Sequence, residues 1–284
     1  MTQLYGMSLL GLRFAMTAGW SSAFPGVPAY CQALPFAMPC LYRCLILACL
    51  LGLSQRARAQ TSPPPRRLDR AFQTWYNYTG DHQLTDFWGL HTEAQLRRAD
   101  LLPRRQQLLL RLGLNQHWSD KLQTAAGYTF LRTYPYGEYP EGHSWEHRGY
   151  EEVQLADTLG RLALGHRFRL EQRWIRGAGE AGPTFSNRAR YQFSAQLPLQ
   201  GRRVDPKEWY LTAYDELFVG FGRNVDQSFN QNRLYAALGR QFTKAGSAEL
   251  GYMYHVKAHG DGRTFERNHT LYVAVTYDLD LRRK

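Results

Sequence analysis

Three residues that could do chemistry together are His143, Glu146 and His147, which match the H-x-x-E-H pattern of inverted zinc proteases. That pattern needs a helix, because a helix places both histidines on one face with the glutamate beside the metal. Pro140 and Gly142 precede the motif, and the residues after it alternate in polarity. In a strand both histidines point away from the side of Glu146. We therefore predict no metal site and no cofactor.

A second candidate is His166, which lies among apolar residues, with Glu151 near it across a predicted hairpin. A histidine beside a carboxylate is the second half of a serine–histidine–acid triad, which outer-membrane lipases can place on the lipid face. Ser186 and Ser194 take the opposite phase of their strand, so no serine completes the triad. His166 and Glu151 remain as candidate catalytic residues. The alternative is a structural histidine near the lipid headgroups.

Residues 161–174 show an alternation of apolar and charged side chains that recurs along the chain. Successive strand residues point to opposite faces, so this segment predicts a strand with one apolar and one charged face. The charged face has four arginines and one glutamate, which is too much charge for the dry core of a soluble sandwich. That face must meet water or line a wet interior.

The same alternation extends over ten segments of ten or more residues. Soluble sandwiches use strands of about five or six residues, whereas longer two-faced strands fit a tilted crossing of an outer membrane. We predict an all-β fold, a transmembrane antiparallel up-and-down β-barrel of 10–12 strands, over residues 85–284. Residues 60–84, with an aromatic segment at 72–78, are expected to be an N-terminal arm or plug, or a first strand. The ten segments are 87–98, 106–118, 121–134, 145–155, 161–174, 185–197, 208–219, 229–243, 247–258 and 269–281.

The N-terminal region predicts export. Residues 38–59 have a basic start, an apolar run too short to cross a bilayer as a helix, and an A-x-A end at Ala57 and Ala59, as in a secretory signal peptide. Residues 1–37 would then lie upstream of the true start. All four cysteines precede position 50, so the mature chain is expected to use neither disulfides nor thiolates. The predicted location is the bacterial outer membrane.

Loops and aromatic residues agree with this location. Tight connections near 119, 158 and 244 alternate with long ones at 135–144, 177–184, 220–228 and 259–268, and bacterial barrels have short turns on the periplasmic side. Aromatic residues near strand ends would form the girdles that mark the membrane interfaces. They are Trp88, Trp118, Tyr134, Trp145, Trp174, Trp209 and Tyr277.

Charged residues of the inward phase predict a network inside the barrel. In the hairpin of 145–155 and 161–174, Arg148 is expected to face Glu171 directly or diagonally, and Glu146 to meet Arg169 or Arg173. A barrel of ten strands is narrow, so these side chains should largely occlude the lumen. The predicted lumen residues are Glu146, Arg148, Arg169, Glu171, Arg173, Arg188, Arg190, Glu216 and Arg233.

Several of these residues also carry a resemblance to a known family. Over residues 75–278 the chain resembles the bacterial family catalogued as domain of unknown function 2490, whose members are similar to outer-membrane β-barrels and have no established activity. The resemblance implies the fold and the location and leaves the mechanism open. It rests on Glu146-x-Arg148, Arg169-x-Glu171-x-Arg173, Arg188-x-Arg190-Tyr191, Asp215-Glu216, Asn232-Arg233, Gly127-Tyr128 and Gly251-Tyr252.

The function expected from the sequence is that of a porin-like, non-enzymatic barrel that binds or passes small solutes or serves a structural role. A barrel enzyme that acts on lipid or lipopolysaccharide is the alternative, and a soluble periplasmic protein that binds acidic polymers is a third class. The expected partners are outer-membrane lipid, lipopolysaccharide and the barrel-assembly machinery. The formal net charge is +11, but both signs share the same strand faces, so we expect internal pairing and no nucleic-acid partner.

Overall fold

The computed structural model describes residues 67–100, 103–135, 142–259 and 262–282, and the predicted signal peptide at 38–59 and the upstream residues 1–37 lie outside them. The described residues include no helix long and apolar enough to cross a membrane. They form eleven strands, namely β1 (Arg67–Gln83), β2 (Trp88–Ala99), β3 (Arg104–Ser119), β4 (Leu122–Thr133), β5 (Ser144–Leu159), β6 (Leu162–Arg176), β7 (Thr184–Pro198), β8 (Trp209–Phe221), β9 (Phe229–Gln241), β10 (Gly246–Ala258) and β11 (Thr264–Tyr277).

The strands form one closed barrel in the order of the chain, so the predicted all-β barrel is confirmed, with eleven strands among the described residues. Consecutive strands pair antiparallel, and β1 closes the barrel by pairing parallel with β11. The aromatic segment at 72–78 lies inside β1, so it is a first wall strand and not an arm or plug. The barrel therefore begins at Arg67, earlier than the predicted start at residue 85.

The two rims of the barrel differ in the length of their connections. We call the rim with connections 84–87, 120–121, 160–161, 199–208 and 242–245 the short-turn rim, and the rim with connections 100–103, 134–143, 177–183, 222–228 and 259–263 the long-loop rim. The ten residues of 199–208 are the exception on the short-turn rim. Because β1 and β11 run parallel, β1 starts at the long-loop rim and β11 ends at the short-turn rim.

Residues after β11 extend the seam between β1 and β11. The Gln83 amide donates to the Leu279 carbonyl at 2.7 Å, and the Leu281 amide donates to the Gln83 carbonyl at 2.8 Å. Beyond them, the Arg282 guanidinium bonds Asp280 at 2.7 Å and Asp86 at 2.6 Å. These two carboxylates raise the pKa of Arg282 above its ordinary value. The tail thus holds the turn after β1 at the short-turn rim.

The strand registers set the width of the barrel. Following the paired positions once around the wall returns to β1 displaced by about 14 residues, a stagger of roughly 46 Å at ~3.3 Å per residue. Eleven strands spaced ~4.7 Å apart span roughly 52 Å, so the strands tilt by about 42°. The Cα radius is then about 11 Å, and long side chains from several strands can meet near the axis.

The two faces of the wall differ in polarity, as β3 shows most clearly. Leu110, Leu112 and Leu114 point outward and are 46%, 54% and 53% exposed. The alternate positions Leu109 and Arg111 point inward and are buried. The other strands repeat the pattern, so the exterior is apolar and the buried interior is rich in arginine, glutamate and glutamine. This is inverted relative to a soluble protein, in which a charged interior would be costly.

Candidate functional site

The barrel interior contains a cavity of about 720 Å³, with lining residues from all eleven strands. Of the charged side chains that line it within the described residues, eleven are arginine or lysine and seven are aspartate or glutamate. Glu171 is not in this set but forms ion pairs with two of these arginines, and counting it reduces the excess of positive charge from four to three. The interior is therefore a mixed-charge compartment with a positive bias.

Two glutamates lie at the centre of its ion-pair network. Glu171 accepts from Arg188 Nη2 at 2.5 Å and Nε at 2.8 Å, and from Arg190 Nη1 at 2.8 Å. Glu216 Oε1 accepts from Arg190 Nη2 at 2.6 Å and from Arg167 Nη2 at 2.8 Å. Both glutamates are 1% exposed. Arg190 bridges them, so β6, β7 and β8 share one network of charge-assisted hydrogen bonds.

The hairpin of β5 and β6 settles the pairing that the sequence left open. Arg148 lies opposite Arg173 in the register, which puts Arg148 diagonal to Glu171. Glu146 Oε1 accepts from Arg148 Nε at 2.6 Å and from Arg173 Nε at 2.5 Å. Of the two partners expected for Glu146, the diagonal one, Arg173, makes the contact. Arg169 instead lies opposite Glu152 and donates to it.

Stacked guanidinium groups fill part of the lumen. The Phe218 ring lies under three arginines, with centroid distances of 4.5 Å to Arg190, 4.6 Å to Arg233 and 5.1 Å to Arg188. Such cation–π contacts orient the planar groups while leaving their N–H edges available. Phe218 is 1% exposed, so the three guanidinium groups cover its ring from water.

A second ring, Tyr150, also carries two guanidinium groups, with centroid distances of 4.7 Å to Arg169 and 5.4 Å to Arg111. Its position depends on two glycines of β3 and β4. A Cβ at Gly113 would lie 2.2 Å from the Tyr150 hydroxyl, and one at Gly127 would lie 2.8 Å from it. The glycine before Tyr128 in the family motif thus makes room for a lumen tyrosine.

The structure adds a cluster on β1, β2 and β3 that was not predicted. Asp81 Oδ1 accepts from His91 Nδ1 at 2.8 Å and from Asn115 Nδ2 at 2.7 Å. Glu93 lies 3.7 Å from His91 Nε2 and forms an ion pair with Arg111. Asp81 was missed because β1 was not recognised as a full wall strand.

All nine residues predicted to face the lumen lie in the barrel interior and make the contacts described above. Further charged or titratable residues line the same interior beside the nine predicted lumen residues. They include Asp81, His91, Glu93, Arg97, Arg111, Glu152, Arg167, Glu249, His255, Lys257 and Glu266. Extending the inward alternation of β2 by two residues before Glu93 would have found His91.

The structure separates the two candidate catalytic residues, so the expectation that Glu151 lies near His166 was wrong. His166 pairs with Leu155 and Glu151 pairs with Leu170, which places them four residues apart along the hairpin, or about 13 Å. His166 Nδ1 is instead within 2.9 Å of the Tyr191 hydroxyl on the outer face. The pairing satisfies two polar groups that would otherwise be unpartnered on an apolar surface.

Such histidine–tyrosine pairs recur on the outer wall. His147 and His269 each lie within hydrogen-bond reach of a tyrosine on the neighbouring strand, Tyr128 and Tyr252 respectively. His147 therefore points outward while Glu146 points inward, as the strand reading of the zinc motif requires. Within the described residues no group of histidines, cysteines and carboxylates could hold a metal ion.

The aromatic residues expected to form girdles lie at the strand ends. Six of the seven are exposed on the outer surface, and each of those lies within three residues of the end of its strand. Tyr134 is partly buried and lies over the Arg132 guanidinium. Trp75 differs from all of them, since it is 2% exposed and points into the lumen. The exposed residues are Trp88, Trp118, Trp145, Trp174, Trp209 and Tyr277.

Fold and site together define a class, the closed β-barrels with an apolar exterior and an ionised, partly filled interior. Within that class, the model of the family described as protein of unknown function (DUF2490) matches residues 72–266, and the chain belongs to this family. The match runs from β1 to β11 and includes every ion pair of the central network. No curated protein and no solved structure matches the chain.

Proposed function

We propose that this protein is an integral β-barrel of the bacterial outer membrane whose lumen binds or passes small charged solutes. Support for the membrane location comes from the outer wall, where leucine, valine and aromatic side chains are exposed around the barrel. Strands of 12 to 17 residues tilted by about 42° are long enough for a hydrocarbon core of ~30 Å. A soluble protein rarely exposes so continuous an apolar surface.

The observation that carries the solute role is the 720 Å³ cavity inside this barrel. A barrel with a purely structural role has no need of an interior space lined by ionised groups, which are costly to bury. The network narrows the lumen to a site for small solutes, in contrast to the open channel of a wide porin. Binding at the charged lining, followed by slow passage, is the activity that this geometry favours.

The proposed orientation places the short-turn rim in the periplasm and the long-loop rim outside the cell. In this orientation the partners are outer-membrane lipid around the apolar wall, lipopolysaccharide at the outer headgroup level and the barrel-assembly machinery during insertion. The residues following β11 would face that machinery from the periplasm. Solutes from the medium would enter at the long-loop rim.

Membrane fractionation of the tagged full-length protein tests the location, with gel mobility of unheated and boiled samples read from the same extract. We expect extraction only with detergent and a mobility shift on boiling, because a folded barrel resists the detergent of the gel. Liposome swelling with small charged solutes then tests passage. Extraction into plain buffer without a shift would overturn the proposal.

A further inference from the structure

The interior tryptophan marks the place in the lumen where positive charge is least neutralised. The Arg97 guanidinium lies 3.8 Å from the centroid of the Trp75 ring, and the Arg233 guanidinium lies 5.1 Å from it. His255 meets the same ring edge-on, at a centroid distance of 5.8 Å. All four residues line the cavity.

Arg97 has no carboxylate within ion-pair distance among the described residues. Its Nη2 donates to Gln95 Oε1 and its Nη1 donates to Gln107 Oε1, both at 2.6 Å. Its strongest charge interactions are repulsions from Arg233 and Arg148. Neutral amides can orient a guanidinium, but they do not balance its charge. Arg97 is nevertheless buried, at 7% exposure.

Arg233 is poorly neutralised as well. Its nearest carboxylate oxygen, Glu216 Oε2, is 3.5 Å from Arg233 Nη1, beyond a short hydrogen bond, while Glu216 Oε1 accepts from Arg190 and Arg167. Arg233 Nη2 makes a long bond of 3.3 Å to Gln231, and its Nε is buried without a partner in the described part of the chain. A buried donor left unpaired costs about 1–3 kcal/mol, so an added acceptor here would be stabilising.

Arginines stacked on a tryptophan are suited to holding an anion. Stacking fixes the guanidinium planes, so little side-chain entropy remains to be lost when their N–H edges bind a ligand. The planar fork matches the two oxygens of a carboxylate or phosphate. Trp75 lies eight residues from either end of β1 and pairs with Arg97 in the register, which places the group at mid-height in the barrel.

We propose that Arg97 and Arg233, held against Trp75, form the binding site for a small solute that carries a carboxylate or phosphate group. This inference rests on the proposed solute-binding function and names its substrate class. Arg233 also stacks on Phe218, so the site adjoins the central network, where Glu171 and Glu216 neutralise the remaining arginines.

Isothermal titration of the full-length barrel in detergent micelles tests the proposal, with inorganic phosphate and succinate as separate probes. We expect saturable binding of at least one anion, and at least tenfold weaker binding in Arg97→Gln and in Arg233→Gln. Binding of phosphate alone, of succinate alone or of both would show which oxyanion the site accepts. Arg97→Lys keeps the charge but loses the fork, and should bind with intermediate strength.

Arg240→Gln is the matched control. Its guanidinium also lies over a tryptophan, 5.2 Å from the Trp209 ring, but on the outer wall. Binding in this variant should stay within twofold of the native value. Equal weakening in Arg240→Gln and Arg97→Gln would show an effect of total charge and overturn the site.

Absence of binding of both anions to the native barrel would also overturn the site. The heat-shifted mobility of each variant reports folding, and Arg233→Gln serves if Arg97→Gln does not fold. A barrel that is extracted only with detergent, shifts on boiling and binds neither anion refutes this site alone. A protein that fails the extraction test refutes the proposed function itself.

Discussion

Replacement of Glu171 by glutamine should destabilise the barrel more than any other single loss of a lumen carboxylate. Glu171 is the one carboxylate bonded to Arg188, whose other described partner is the Asn230 side chain at 3.1 Å. Glutamine leaves Arg188 buried and uncompensated at 2% exposure. Breaking a buried ion pair costs about 3–5 kcal/mol, and the adjacent cavity favours the lower end, about 3 kcal/mol.

Glu249→Gln provides the matched control for Glu171→Gln. Glu249 also points into the lumen, but its oxygens accept from the hydroxyls of Tyr210 at 3.0 Å and Tyr235 at 2.8 Å. Glutamine keeps one of these acceptors and leaves no cation without its partner. The loss of unfolding free energy should therefore be about 1 kcal/mol. Both substitutions replace a glutamate by glutamine, but only Glu171→Gln leaves a buried arginine without its carboxylate.

A double-mutant cycle with Arg188→Gln isolates the pair. We expect Glu171→Gln/Arg188→Gln to be less destabilised than the sum of the two single variants by about 1.5–3 kcal/mol. The assay is reversible urea unfolding in detergent micelles, followed by tryptophan fluorescence and by heat-shifted mobility. Equal costs for Glu171→Gln and Glu249→Gln, together with additive single effects, would refute the argument that ion pairs hold the interior.

Three further predictions concern packing, the seam and the outer wall. Gly113→Ala should lower the free energy of unfolding by about 1–3 kcal/mol, because the new Cβ pushes on the Tyr150 hydroxyl. Adding Tyr150→Phe to the same chain should restore much of this loss, and the absence of any rescue would contradict this packing. Truncation after Tyr277 removes the hydrogen bonds to Gln83 and should lower the free energy of unfolding by about 2 kcal/mol, whereas unchanged stability would mean that β1 and β11 alone close the seam. His166→Phe should lower the free energy of unfolding by about 1 kcal/mol, because the hydroxyl of its tyrosine partner is left unpaired. If the native protein has a lipid hydrolase activity that this variant loses, His166 would instead be assigned to catalysis.

Alternation was sufficient to predict the barrel because a wall that separates an apolar from a polar environment imposes a period of two on every strand. The strand at 72–78 was harder to assign, since Trp75 inside and Tyr76 outside give its two faces similar hydropathy. Its parallel pairing with β11 depends on ring closure, which no local pattern encodes. A conventional antiparallel closure would have required an even number of strands.

The inward phase identified the interior residues, but their contacts depend on register. Glu152 lies opposite Arg169 because the connection after β5 has two residues, and Glu171 lies opposite Arg188 in the separate register of β6 and β7. A shift of two residues keeps every side chain on its face and changes every pair. The arginines around Trp75 come from strands far apart in the sequence, so their proximity could not be predicted.

The orientation of the wall relative to lipid tests the central claim most directly. A fluorescent label would be placed at Leu112→Cys on the outer wall or at Ala181→Cys in a long loop, in a chain whose native cysteines are replaced by serine. In lipid vesicles we expect brominated acyl chains to quench the label at position 112 and aqueous iodide to quench the label at position 181. Equal quenching of both labels by iodide would contradict a barrel whose apolar wall faces lipid.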